Sequence, residues 1–229
     1  MEFKFSNRIS GVQGSAIREI FKYGNRPEVI SLAGGNPAPE LFPSKEFAEI
    51  LAEILAKKPT EALQYGVTEG YAPLREYVKK FIAERENIGR DFDETIIVSG
   101  GQQGIDLATK VLVNEGDAVI VEEPSFIGAL NAFRAYGAKL VGVPVKNDGM
   151  DIDVLEQKLN ETENVKIIYT IPTFQNPSGV TMTEEKRKKL YALAKKHGVV
   201  IIEDNPYGEL TFDGSKVPTI KSGDDEGVV

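Results

Sequence analysis

The hydrophobic positions of this chain follow two different periods, and the change comes near residue 95. Before it, apolar residues three and four positions apart predict helices over 16–23, from residue 44 to about residue 55, and from Pro73 to about Glu86. Irregular stretches rich in glycine, proline and asparagine separate these helices. After it, short apolar runs alternate with amphipathic segments of helical length.

The alternating part of the chain predicts an α/β fold. The predicted strands are 95–98, 118–121, 139–143, 165–171 and 199–202. The predicted helices between them are 102–114, 126–136, 151–160 and 183–197. Strands separated by helices of this length form a mostly parallel sheet that helices cover on both faces. The last residues, 227–229, have the pattern of a further strand that has just begun.

Composition narrows the function classes without choosing one. The 229 residues include no cysteine and one histidine, which excludes a disulfide framework, a thiolate metal site and a histidine-rich metal cluster. The net charge of −8 argues against nonspecific binding to nucleic acid or to an anionic membrane. No apolar stretch approaches the roughly 20 residues that span a bilayer, and residues 1–6 lack the apolar core of a signal peptide. We therefore expect a soluble cytoplasmic protein without a metal.

The first candidate chemistry is a glycine-rich turn, Ser99–Gly104, between a predicted strand and a predicted helix. Ligands of open α/β sheets gather at the carboxyl ends of strands, and the free N–H groups of a helix start favour a phosphate. The simplest alternative is a tight turn alone. Another is a dinucleotide-binding turn, because the segment is one residue away from G-x-G-x-x-G and Glu122 and Glu123 end the next strand.

Further motifs follow the later predicted strands. Phe126 offers a ring suited to stacking on a planar cofactor, although a core phenylalanine is the more common interpretation. Asn176 lies in Asn-Pro-Ser-Gly, which is a good turn sequence and also presents an amide to a ligand oxygen. Asp204, three residues before Tyr207, either caps a turn, binds Mg²⁺ or pairs with a cationic ring nitrogen.

The order of these motifs resembles the class I and II aminotransferases of pyridoxal-phosphate (PLP) fold type I. The resemblance runs along essentially the whole chain, and Asn176–Gly179 with Asp204–Tyr207 is its most specific part. Segments 31–35, 42–43 and 64–66 are most similar to the aminoadipate, kynurenine and aromatic aminotransferases. A dinucleotide-binding domain would explain neither of the two specific motifs nor the roughly ninety residues before the first strand.

The resemblance implies a PLP site built from residues that follow successive strands. Asp204 would pair with the pyridine nitrogen and keep it protonated, which suits an electron sink. Asn176 and Tyr207 would hydrogen-bond the phenolic oxygen of the ring, and Asn176 would also contact the substrate. Phe126 would stack on one face of the ring.

The remaining implied contacts concern the phosphate and the substrate. Gly101 and Gln102 would donate backbone N–H groups to the cofactor phosphate at the start of a helix. Tyr65 would reach the phosphate of a partner subunit, which implies a homodimer with shared active sites. Gly35 would donate its N–H to the substrate carboxylate, and Arg18 would lie near the substrate, with an exposed surface arginine as the alternative.

The lysine that forms a Schiff base with the cofactor in this family is expected after the strand that follows Asp204, where the chain ends. Lys216 and Lys221 precede that strand in a polar stretch and are interpreted as solvated surface lysines. The resemblance thus implies an N-terminal arm and small-domain segment over 1–43 and an incomplete PLP-binding domain over 44–229. Such a chain is expected to shape a cofactor site but not to turn over by itself.

The function implied for the full-length protein is amino-group transfer from an amino acid to a 2-oxo acid, within amino-acid metabolism. Two alternatives on the same scaffold stay open. One is a regulatory domain without catalysis, such as the effector domain of a transcription factor, and the other is a PLP-dependent β-lyase. The groups that distinguish these reactions are expected to be mostly absent from residues 1–229, so the sequence indicates the cofactor but not the reaction type or the substrate.

Overall fold

The computed structural model describes residues 3–10, 28–30, 35 and 37–229. Its helices are α1 (Asn7–Ser10), α2 (Ser44–Lys57), α3 (Pro59–Leu63), α4 (Ala72–Glu86), α5 (Gly101–Leu112), α6 (Ile127–Ala135), α7 (Ile152–Glu161) and α8 (Glu184–His197). Its strands are β1 (Ala118–Glu123), β2 (Lys139–Lys146), β3 (Gly149–Met150), β4 (Val165–Thr170) and β5 (Val200–Glu203). The predicted helix over 16–23, with Arg18, lies outside the described residues.

The backbone divides into two compact units, one formed by residues 14–71 and one by residues 1–13 and 72–229. The domain boundary that we expect after residue 43 concerns the whole protein and stays a prediction. The smaller unit contains α2 and α3, and the larger unit contains the sheet. No helix in the described part of the chain is long and apolar enough to cross a membrane.

The strands form one sheet in the order β3-β2-β1-β4-β5. β1 pairs in parallel with β2 and β4, and β4 pairs in parallel with β5. The short β3 runs antiparallel to β2. The prediction of a mostly parallel α/β sheet is confirmed. Because parallel strands point the same way, the carboxyl ends of β1, β4 and β5 lie at one edge of the sheet.

Two hydrophobic cores lie on opposite faces of this sheet, because side chains alternate along each strand. On β1, Ile120 belongs to one core, whereas Val119 and Val121 belong to the other. Residues of α7 and α8 complete the first core, and residues of α5 and α6 complete the second. The predicted cover of helices on both faces is therefore present, and it holds the strand ends in fixed positions.

The predicted strand over 95–98 is wrong. A strand needs a neighbour that completes its ladder of backbone hydrogen bonds, and no segment in the described ranges pairs with 95–98. A side chain satisfies part of this backbone instead, because Arg75 Nε donates to the carbonyl of Thr95 at 2.5 Å.

The predicted strand start over 227–229 is also not a strand, although one backbone hydrogen bond reaches β5. Ile201 N donates to the carbonyl of Val228 at 2.8 Å. The buried carboxylate of Asp224 accepts from the backbone N–H groups of residues 226–229 at 3.0 to 3.3 Å and folds them into a turn.

Candidate functional site

Asp204 follows β5 directly, and a neighbouring strand orients its carboxylate. The hydroxyl of Tyr169, on β4, donates to Asp204 Oδ2 at 2.7 Å. Tyr169 is fully buried, and this burial, together with the charge of Asp204, raises the pKa of the phenol. The hydroxyl therefore keeps its proton and remains a donor to the half-buried carboxylate.

Asn176 and Tyr207 come together although they lie in different loops. Asn176 is in the turn after β4, and Tyr207 is in the turn after β5. Asn176 Nδ2 donates to the hydroxyl oxygen of Tyr207 at 3.4 Å, which is a long hydrogen bond. An amide and a phenolic hydroxyl thus lie side by side at the sheet edge that also carries Asp204.

The glycine-rich turn leads into α5 as predicted. Gly100 has a φ of 83°, in the left-handed region that favours glycine, and α5 begins at Gly101. Gly101 and Gln102 are exposed. The N–H groups of a first helical turn have no partner within their helix, so this helix start has the chemistry to bind an anion.

Phe126 lies at the start of α6, close to the start of α5. Gln102 Nε2 donates to the carbonyl of Gly128 at 3.1 Å and so links the two helix starts. A Cβ atom on Gly128 would stand 2.5 Å from Gln102 Oε1 and from Phe126 Cε1, so a side chain at this position requires both neighbours to move. The half-buried ring of Phe126 packs against the core that contains Tyr169.

A buried pair, Glu122 and Gln175, completes this edge, and the sequence motifs did not predict it. Thr170 Oγ1, Ile171 N and Gln175 Nε2 donate to the Glu122 carboxylate at 2.7, 3.1 and 3.2 Å. Burial raises the pKa of Glu122 to about 7, although the three hydrogen bonds oppose the rise. The available signal was Glu122 directly after the apolar run 118–121, because a carboxyl next to a buried run requires partners if it is itself buried.

Three residues with implied contacts lie in the other unit or outside the described residues. Gly35 and Tyr65 belong to the unit of residues 14–71, and both are exposed. Arg18 lies outside the described residues. The roles of these three residues therefore stay predictions.

The interpretation of Lys221 as a solvated surface lysine is wrong. Its side chain is 18% exposed, and its ammonium group lies 2.7 Å from Asp93 Oδ1 and 2.8 Å from Asp224 Oδ2. Burial by itself lowers the pKa of Lys221, but the hydrogen bonds to Asp224 and Asp93 outweigh it and raise the pKa. Lys221 is thus held as an ammonium, which is not a nucleophile. Lys216 is more exposed and pairs with Glu86.

The fold and this sheet edge define a class of protein. A parallel α/β sheet brings a carboxylate, an amide, a phenol, an aromatic ring and a helix start to its carboxyl edge, and these groups suit a flat, phosphorylated, nitrogen-containing ring. Residues 27–229 match the family of class I and II aminotransferases. The chain belongs to this family.

Relatives of known structure and sequence agree with this assignment. The chain is 47% identical to aromatic-amino-acid aminotransferase 1 of Thermococcus litoralis, over 98% of this chain and 55% of that protein. A kynurenine aminotransferase of Pyrococcus horikoshii, solved with PMP, KYN and KYA, has a TM-score of 0.90 at 43% identity, covering 97% of this chain and 56% of that one.

The α-aminoadipate aminotransferase of Thermus thermophilus was solved with N-(5'-phosphopyridoxyl)-L-leucine. It has a TM-score of 0.81 at 40% identity, covering 95% of this chain and 53% of that one. The chain therefore spans about half the length of the relatives it matches. The cofactor that these similarities indicate is PLP.

Proposed function

We propose that the full-length protein is a PLP-dependent aminotransferase that moves an amino group from an amino acid to a 2-oxo acid. The observation that carries the proposal is the meeting of Asp204, Asn176 and Tyr207 at one sheet edge in a member of this family. The proposal includes a homodimer with shared sites, in which Tyr65 reaches the cofactor phosphate of the partner subunit. It also includes a location in the cytoplasm.

The residues at this edge fit PLP by the chemistry of their groups. Asp204 is an anionic acceptor whose Oδ1 is suited to a protonated ring nitrogen while Oδ2 binds Tyr169. Asn176 and Tyr207 supply two donors for the phenolic oxygen of the ring. The N–H groups at the start of α5, from Gly101 onward, suit the phosphate.

PLP, when bound, supplies an electron sink that stabilises negative charge at the substrate α-carbon. Asp204 would hold a proton on the ring nitrogen, because an ionised carboxylate favours the charged form of a neighbouring base. Tyr169 would orient that carboxylate through its hydrogen bond to Oδ2. Phe126 would cover one face of the ring and exclude water from it.

Asn176 and Tyr207 would control how strongly the phenolic oxygen keeps its negative charge, because each donor to that oxygen stabilises its anionic form. On the substrate side, Asn176 would act together with Gly35 and Arg18. The Gly35 N–H would donate to the substrate carboxylate, and Arg18 would lie near the substrate.

Full-length protein loaded with PLP and offered single amino acids tests the proposal. The expected result is conversion of the cofactor to pyridoxamine phosphate with release of the matching 2-oxo acid, and reversal by a second 2-oxo acid. PLP binding without conversion by any donor would instead identify a regulatory domain. Release of ammonia and pyruvate from a donor with a β-leaving group would identify a β-lyase.

A further inference from the structure

One side chain, Gln175, contacts two of the loops that carry the proposed ring contacts, those of Phe126 and Asn176. Gln175 and Glu122 are each 2% exposed. Gln175 Nε2 donates to Glu122 Oε2 at 3.2 Å and to the carbonyl of Pro124 at 2.8 Å. Gln175 Oε1 accepts from Ser178 N at 2.8 Å. Both polar ends of this amide are therefore used, one in each loop.

The first loop joins β1 to α6 and contains Phe126. Pro124 lies two residues before Phe126, so the hydrogen bond from Gln175 to the Pro124 carbonyl restricts the path by which the chain enters α6. The position of the Phe126 ring depends on that path.

The second loop is the turn that contains Asn176. Gln175 closes it with its backbone as well, since its N–H donates to the carbonyl of Val180 at 2.8 Å and its carbonyl accepts from Gly179 N at 2.5 Å. The side-chain bond to Ser178 N adds a third contact. The Asn176 amide thus lies on a turn that Gln175 holds on both sides.

Glu122 in turn holds Gln175. Its carboxylate also accepts from Thr170 Oγ1 and Ile171 N, at the end of the adjacent strand β4. A shift of Glu122 would break its hydrogen bond to Gln175 and would take the acceptor away from the buried Ile171 N–H, which costs more than one hydrogen bond contributes. The pair is therefore rigid relative to the sheet.

We propose that Gln175, held by Glu122, is a positioning residue that sets the ring contacts of Phe126 and Asn176 together. This inference rests on the proposed PLP site, and neither member of the pair needs to contact the cofactor. In the described part of the chain, the hydrogen bonds of Gln175 reach these two loops and not the start of α5. Loss of Gln175 should therefore weaken the ring contacts and leave phosphate binding unchanged.

Full-length protein stripped of its cofactor allows this separation to be measured with PLP and with inorganic phosphate as ligands. Gln175→Met keeps the length of the side chain and removes its donor and its acceptor. We expect the Kd for PLP to rise about tenfold, because buried hydrogen bonds are lost, and the visible circular dichroism of bound PLP to weaken. The Kd for inorganic phosphate should equal that of the wild type.

Gln157→Met is the matched control, since Gln157 Nε2 donates to Glu161 Oε1 at 2.8 Å on the exposed side of α7, and it should change neither Kd. If Gln175→Met does not fold, Glu122→Gln gives the answer: it keeps the volume and should weaken PLP binding about threefold, with phosphate binding unchanged.

Two results would overturn the inference: a wild-type Kd for PLP in the folded variants, or equal weakening of PLP and phosphate binding. A folded wild-type protein that binds no PLP is a different result, because it overturns the proposed function itself.

Discussion

Asp204 carries the largest share of the proposed chemistry, because it is the anionic group that would face the ring nitrogen. Asp204→Asn preserves the shape of the side chain and removes its charge. We expect kcat for amino transfer to fall about 100-fold or more, as the loss of one preorganised electrostatic contact does in other enzymes. Asp213→Asn, at an exposed turn, is the control and should leave kcat unchanged. Wild-type kcat in Asp204→Asn, measured with saturating substrates, would contradict the assigned role.

Because the carboxyl of Glu122 is buried, the free energy of unfolding should decrease as the pH rises. Its pKa in the folded state, raised to about 7 by burial, exceeds the ordinary value of 4.5. Between these values the folded state keeps a proton that the unfolded state has lost. The free energy of unfolding therefore falls from about pH 4.5 to pH 7, with a slope of up to about 1.4 kcal/mol per pH unit, and levels off above.

Urea unfolding of the wild type and of Glu122→Gln across this pH range measures the effect. The difference curve is the free energy of unfolding of the wild type minus that of the variant, plotted against pH. Glu184→Gln is the control, since Glu184 is exposed and its hydrogen bond to Lys188 lowers its pKa. Its difference curve should be small and should change only toward lower pH, where that stabilisation is lost. A flat curve for Glu122→Gln between pH 4.5 and 7 would contradict the assignment.

Arg187, in the first turn of α8, joins that helix to the end of β4. It is 2% exposed, and its guanidinium lies 4.0 Å from the carboxylate of Glu203 at the end of β5. Burial lowers the pKa of Arg187, and the charge of Glu203 opposes this. The guanidinium donates at 2.8 to 3.0 Å to Met182 O, Pro172 O, Pro218 O and Thr173 Oγ1.

Arg187→Leu should destabilise the fold, because it removes the buried donor shared by those four acceptors and the positive charge next to Glu203. We expect the free energy of unfolding to fall by about 3–5 kcal/mol. The neighbouring Lys188 is exposed and pairs with Glu184, so Lys188→Leu should change the free energy of unfolding by less than about 1 kcal/mol. Urea unfolding compares the two variants, and similar losses in both would mean that the buried network does not stabilise the fold.

The smaller unit has an exposed apolar surface on α2. The predicted apolar face of α2 is exposed along its length, and its large side chains are Phe47, Ile50, Leu51, Ile54 and Leu55. An exposed apolar patch of this kind marks a contact surface. We predict that this face lies in the subunit interface of the proposed homodimer.

The double variant Phe47→Lys/Leu51→Lys tests that prediction in the full-length protein. Two ammonium groups from each subunit, buried in an apolar interface without partners, should raise the dimer Kd by about 100-fold or more. Analytical ultracentrifugation over a dilution series measures the change. Val111→Lys, at an exposed apolar position of α5, is the control and should remain dimeric. A double variant with the wild-type dimer Kd would place the interface elsewhere.

Local patterns in the chain were sufficient to predict most elements. The periods of apolar residues predicted α2 and, from residue 118 onward, the strands and helices of the sheet apart from the two-residue β3, because each pattern is read over a few neighbouring positions. The order of the motifs was sufficient for the family and the cofactor, because it resembles the order in known class I and II aminotransferases.

Local sequence patterns did not predict the contacts between residues that are far apart in the sequence. Tyr169 and Asp204 are 35 positions apart, and Glu122 and Gln175 are 53 positions apart, so their hydrogen bonds depend on which strands become neighbours. The same reason explains the error at 95–98, since an apolar run forms a strand only where a partner pairs with it. The orientation of the site carboxylate and the buried Glu122–Gln175 pair therefore follow from strand order, which local periodicity does not specify.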